Sequence, residues 1–288
     1  MTLLSVFREP TMFRIQQRQT NSSWLRRGLL ELCLLGFIAA NFCNSLPVHA
    51  FNGTDARVVG TFLKGTKWFS MALPEAKIVE LAKIAEKTGG TEDVRKVLGR
   101  MNLSNEVLED TFARILVAQG RVPGHEAEGW MRRLSGVTGF RSAMSKSMGA
   151  SPAKTAGHFN EIRIADNAAQ ANFEVKGIGI PFNDPYKKGV TDIDIILQKN
   201  GHQVAIEAKD YLSTTPIPLD SFRADMLSLA EFRKANPNSN VVPVFWITNK
   251  PGDPQVWKLL EAAAEQHKVE LIIGSPSEAI HQIPLLLR

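Results

Sequence analysis

The stretch that decides the fold runs from Gly189 to Tyr211, GVTDIDIILQKNGHQVAIEAKDY. It divides at Asn200-Gly201, the dipeptide that best accepts positive φ at both central positions of a two-residue type I′ hairpin turn. That turn sets the register. Lys199 opposes His202, and counting outward Leu197 opposes Val204, Ile195 opposes Ile206 and Ile193 opposes Ala208. These pairs are apolar throughout, so they mark the buried face. The other face pairs Ile196 with Ala205, Asp194 with Glu207 and Asp192 with Lys209. Directly opposed residues hold their Cβ atoms about 5 Å apart, where two carboxylates repel. A divalent cation relieves that repulsion, since Mg²⁺ takes one or two carboxylates and keeps its other positions for water and phosphate. The plainer reading is a solvated polar face, with Lys209 paired to Asp192. Ile196 and Ala205 on that same face count against it.

Outward from the hairpin the sequence alternates helix and strand. KTAGHFNEIRIADNAAQ carries Phe159, Ile162 and Ala165 at helical spacing, and NFEVKGIGI reads as a strand ending at Pro181. After the hairpin come a helix with Phe222, Met226 and Leu229 on one stripe, the strand VVPVFWIT, a helix capped by Asp253, the strand VELIIG and a closing helix over SPSEAIHQIPLLL. The order predicts an α/β domain over 154–288, a mixed β-sheet flanked by helices.

Residues 51–134 read differently. From Pro74 onward KIVELAKIAEK, a segment opened by Thr91, SNEVLEDTFARILVAQG and HEAEGWMRRLSG all show helical periodicity, with Ser104 placed as a cap. This predicts an N-terminal all-α module. Residues 135–153, rich in Ser, Gly, Ala and Met, read as a linker; the bases from Arg132 to Lys154 also suit a loop that tracks phosphates.

Residues 1–50 carry Arg26-Arg27, the apolar run LCLLGFIAA, and Val48 and Ala50 at the small-residue positions of a cleavage site. That is the pattern of a secretory signal peptide, and the apolar run is shorter than the roughly 20 residues that span a bilayer. The expectation is an exported protein, periplasmic or secreted, with no stable membrane span after cleavage. The leader holds five Lys/Arg and two Asp/Glu, so the chain's net charge of +5 falls to +2 without it. Such a balance gives no electrostatic footprint of a nucleic-acid binder. Both cysteines, Cys33 and Cys43, also lie in the leader, which leaves carboxylates, Lys, His and hydroxyls for any chemistry.

An Asp on one strand, a tight turn, and Glu-x-Lys on the next strand, preceded by an acid-bearing helix, resembles the PD-(D/E)XK nuclease superfamily. The likeness covers roughly residues 150–275. It implies the α-β-β-β-α-β core of restriction-endonuclease-like proteins and a Mg²⁺- or Mn²⁺-dependent endonuclease acting on DNA or RNA. Asp194 matches the family's metal-binding Asp, Glu207 its second metal ligand and Lys209 its catalytic Lys, while Glu161 stands where many members keep a further acid. Thr191 replaces the usual Pro before Asp192, so Asp192 is a reserve ligand. Family members also serve as toxin domains, which suits an exported chain. The alternative is a noncatalytic nucleic-acid- or protein-binding module that retains the fold. His158, His202, Lys154, Lys187, Lys188 and Tyr211 stand near the proposed site as lesser candidates, and Trp246 and Trp257 read as core.

Overall fold

A computed structural model describes residues 73–149, 151–187 and 190–287. The expected leader and the first part of the helical module lie outside them. Among the described residues five helices come first: α1 (Glu75–Ala85), α2 (Gly90–Gly99), α3 (Asn105–Ala118), α4 (Gly124–Leu134) and α5 (Phe140–Ser147). Ser104 caps α3 by accepting the Val107 N–H. The long α6 (Pro152–Gln170) leads into β1 (Glu174–Phe182), β2 (Thr191–Lys199) and β3 (His202–Lys209). Then come α7 (Leu219–Ala235), β4 (Val241–Ile247), α8 (Pro254–His267) and β5 (Glu270–Ile273). The closing segment is two short turns of helix, α9 (Pro276–Ala279) and α10 (Ile283–Leu286), joined by a 3₁₀ turn. It was expected as one helix; Pro284 at the start of α10 has no N–H to continue the ladder.

The five strands form one open mixed sheet in sequence order. β1, β2 and β3 run antiparallel, while β4 lies parallel to β3 and β5 parallel to β4. One face carries Ile195, Leu197, Val204, Ile206, Val244 and Trp246 into a core shared with α6 and the helices before it. The other carries Ile196, Ala205, Phe245 and Ile247 against α7 and α8, through Phe222, Met226, Leu229 and Leu260. The Trp246 indole N–H donates to the Gly274 carbonyl at 2.8 Å, which satisfies its one polar atom inside the core. Trp257 packs at the margin of the second core, under the Lys250 ammonium.

The stretch expected as a linker is structural. Residues 140–147 form α5, and Phe140 and Met144 are fully buried in the core that also holds Ile178 and Ile195 of the sheet. Gly139, at φ +83°, sits so close to β1 that an added Cβ would fall 1.7 Å from the Ile178 carbonyl oxygen. The bases counted as phosphate-tracking are partly committed to partners within the chain. Arg133 makes a bidentate pair with Asp166 of α6 at 2.7 and 2.9 Å, and Arg141 bonds Asn105. Helical and α/β parts therefore share one hydrophobic core rather than meeting through a spacer.

Within α3, Asp110 is buried with neither carboxylate oxygen hydrogen-bonded. Arg114, one turn on, approaches only to 3.8 Å because its guanidinium donates instead to the Leu73 carbonyl. Burial pushes the Asp110 carboxyl up to about 6, against the weaker pull of Arg114.

Candidate active site

The hairpin register is the one the turn dictates, from Lys199–His202 to Ile195–Ile206, with Asn200 at φ 52° and Gly201 at φ +79°. Beyond Ile195–Ile206 the ladder between β2 and β3 ends. β2 stays with β1 as far as Thr191–Phe182, and β3 stays with β4 as far as Lys209–Ile247. The sheet forks there. The Asp194 carboxylate takes the place of a ladder carbonyl in the fork, accepting the Ala208 N–H at 2.8 Å. A second change accompanies the fork. Ile193, expected beside Ile195, packs on the opposite face with Ile180 and Ile196. Gly179, at φ +61° between the pairs Ile178–Ile195 and Ile180–Ile193, is where β1 turns over and β2 follows.

Three of the sequence-predicted residues stand at this fork, and the charge of a fourth, Glu161, reaches Asp194. Glu161 comes from α6 on one side of the sheet, Asp194 from β2, and Glu207 and Lys209 from β3. The Asp194 carboxyl is held well above the ordinary range, chiefly by burial and then by the negative charges of Glu207 and Glu161. The nearby Lys209 and the Ala208 N–H pull the other way. Burial raises Glu207 to about 7, against the pull of Lys209, with Asp225 adding repulsion. Lys209 is the counterweight. Burial favours its neutral form, but Glu207, Asp225 and Asp194 together outweigh that and hold its proton more tightly than usual.

The expected pair of Asp192 with Lys209 does not form. Asp192 is exposed, opposite Pro181. The Lys209 ammonium instead lies 2.5 Å from Glu207 Oε1 and 2.9 Å from Asp225 Oδ2. The polar face is not solvated either, for Ile196 and Ala205 are buried beneath α7. His158 lies 3.0 Å from Glu161 through Nδ1. His202 adjoins the turn at the far end of the hairpin rather than the fork. Tyr211 packs edge-on against Phe222, ring centroids 5.3 Å apart. Lys188 and the Lys154 side chain lie outside the described residues.

Sequence reasoning missed Asp225 and had Lys187 only as a lesser candidate. The signal for Asp225 was present. It falls between Phe222 and Met226, on the apolar stripe of α7, where an acid needs a buried partner. Lys187 supplies a second one, its ammonium 2.9 Å from Asp225 Oδ1.

Two carboxylates, Glu207 and Asp225, thus bind one ammonium, and the charges of Asp194 and Glu161 act on the same place. Among the described residues no three His, Cys, Asp or Glu side chains are already grouped to hold a metal ion. The residue types still suit a hard cation. Asp194 and Glu207 offer oxygen ligands, and their carboxyls are raised chiefly by burial and further by neighbouring negative charge. No helix among the described residues is long and apolar enough to cross a membrane. Comparison of the chain with family models, with curated proteins and with solved structures gave no match.

Proposed function

We propose that the protein is a metal-dependent nuclease with a restriction-endonuclease-like core, hydrolysing phosphodiester bonds in DNA or RNA. One observation carries the reading: Asp194, Glu207 and Lys209, with Glu161 behind them, converge where β2 and β3 part. A purely structural fork would favour apolar residues there, because enclosed like charges cost stability. Asp194 and Glu207 would hold Mg²⁺ or Mn²⁺, with the exposed Asp192 at the mouth. Such an ion supplies positive charge to a phosphoryl oxygen and lowers the pKa of a water it binds.

The chain's own residues divide the remaining work. Lys209 keeps its proton among its acidic neighbours, so it acts as fixed positive charge rather than as a base. Charge of that kind stabilises the negative charge that develops on a phosphate under attack. Ala208, through its N–H, orients Asp194. The His158–Glu161 contact fixes the acid on α6.

A noncatalytic nucleic-acid- or protein-binding module is the second reading. It is favoured by the direct bonds from Lys209 to Glu207 and Asp225, which neutralise part of the cluster from within. A substrate panel of plasmid, single strand, branched junction and tRNA separates the two. The purified protein is expected to cut at least one of them with Mg²⁺ or Mn²⁺ and none in EDTA, and Glu207→Ala is expected to lose the activity. Unchanged cutting by that variant would refute the assignment. Binding without cutting under either cation would establish the second reading.

A further inference from the structure

Asp225, which lies outside the hairpin, reaches two cations at once. It is 9% exposed, on the inward stripe of α7, and each of its oxygens serves a different ammonium: Oδ2 that of Lys209 and Oδ1 that of Lys187, both at 2.9 Å. The two cations therefore stand within the span of a single carboxylate. They arrive from different places, Lys209 from the end of β3 and Lys187 from the segment between β1 and β2. One turn further along α7, the Ser228 hydroxyl donates to Asp184 of that same segment, and Asp184 also accepts the Tyr186 N–H at 2.8 Å. The segment is thus fastened to α7 at two points.

Lys209 has two carboxylate partners, and only one of them is a candidate ion ligand. When Glu207 turns toward a cation, its bond to Lys209 weakens, and a buried ammonium left without a partner is costly. Asp225 lies on a different element and keeps its bond. The Phe222 ring, its centroid 5.9 Å from the ammonium, borders it on one further side. We propose that Asp225 is a positioning residue, which holds Lys209 at the reacting phosphate once Glu207 is engaged by an ion and carries Lys187 to the same phosphate as a binding cation.

The kinetic part of this rests on the nuclease reading; the fastening of the segment does not. Three variants test both, Asp225→Asn, Asp225→Glu and Lys187→Gln, each made in the full protein and compared with the wild type for cleavage kinetics, Mn²⁺ affinity and hydrogen exchange over 183–187. Lys187→Gln is expected to raise KM about tenfold at unchanged kcat, the worth of one charged hydrogen bond to phosphate. Asp225→Asn is expected to raise KM by the same factor and to lower kcat about 100-fold, as a displaced catalytic group does, while Mn²⁺ affinity stays within twofold. Joining it to Lys187→Gln should add no further rise in KM. Asp225→Glu should recover most of kcat. Wild-type kcat in Asp225→Asn, or Mn²⁺ affinity falling in step with rate, overturns the positioning role. If the wild-type protein cuts no nucleic acid, the nuclease reading fails. Protection of residues 183–187 then still decides the fastening, which faster exchange in Asp225→Asn supports and unchanged exchange overturns.

Discussion

The two ends of the hairpin obey different rules. At its closed end Asn200 and Gly201 adopt the positive φ values of their turn, and five consecutive pairs follow in register. At its open end the ladder stops; Lys209 pairs with Asp225 of α7, whose other oxygen takes Lys187 from the segment after β1, and Asp194 feels the negative charge of Glu161 on α6. The closed end is specified by its own residues. The open end is assembled by the whole fold, at a cost in stability that a structural role would not require. Function is therefore sought at the end where local rules fail.

The largest expected effect separates the ends by rate. Asp194→Asn should lower cleavage at least about 100-fold, the scale set by removal of one electrostatic partner of a transition state. It should not unfold the protein, because the amide keeps an oxygen for the Ala208 N–H and removes one of the crowded charges. A cation bound at 100 times its Kd adds about 2.7 kcal/mol of stability. Urea denaturation of the wild-type protein with and without Mn²⁺ should show a shift of that order, and the variant should not. A wild-type rate in Asp194→Asn would remove the open end from the chemistry.

The next effect concerns pH and uses Asp110, a buried acid remote in sequence from the hairpin, to sharpen the contrast. Glu207 and Asp110 both titrate higher in the folded chain than in the unfolded one, to about 7 and about 6. The folded state then holds the extra protons, so the stability they contribute is full below pH 4 and is lost as pH rises through those values. For Asp110 the loss corresponds to about 3 kcal/mol. Urea midpoints measured in EDTA from pH 4 to 8 should fall with pH. Asp110→Asn should reduce the slope only below about 6, and Glu207→Gln should reduce it throughout the range up to about 7. Only Glu207→Gln should also touch cleavage. A flat wild-type profile would mean that neither acid is burdened by burial.

Much of this was legible in the sequence, and the exceptions share a cause. Hairpin register, sheet composition and the Ser104 and Asp253 caps all follow from residues close in sequence or from strict periodicity, whereas Glu161 is named only by the family resemblance. The 135–153 segment was misread because small residues and glycines look like a spacer. Gly139 is small because β1 passes against it, and Phe140 and Met144 are the buried side of a short helix. The pairing of Asp192 with Lys209 was extrapolated from a ladder that stops three residues earlier, because Gly179 on the neighbouring strand turns both strands over. Asp225 was overlooked for a simpler reason. Its partners are 16 and 38 residues away, and no periodicity reports them.

The smallest effect belongs to the closed end, and it tests whether the two ends are separable. Gly201 sits at φ +79°, with nothing within 4 Å of an added Cβ. Gly201→Ala therefore meets only the backbone penalty of a left-handed conformation, about 1–2 kcal/mol for a residue with a Cβ. The variant should unfold at correspondingly lower urea, while Mn²⁺ still stabilises it by the wild-type amount. Its cleavage rate per folded molecule should be unchanged, because the register is held also by the apolar pairs from Leu197–Val204 to Ile195–Ile206. A fall in rate at full folding would mean that strain at the turn is transmitted along both strands to Asp194 and Glu207. The fork would then be a property of the hairpin itself rather than of the helices and strands that hold its arms apart.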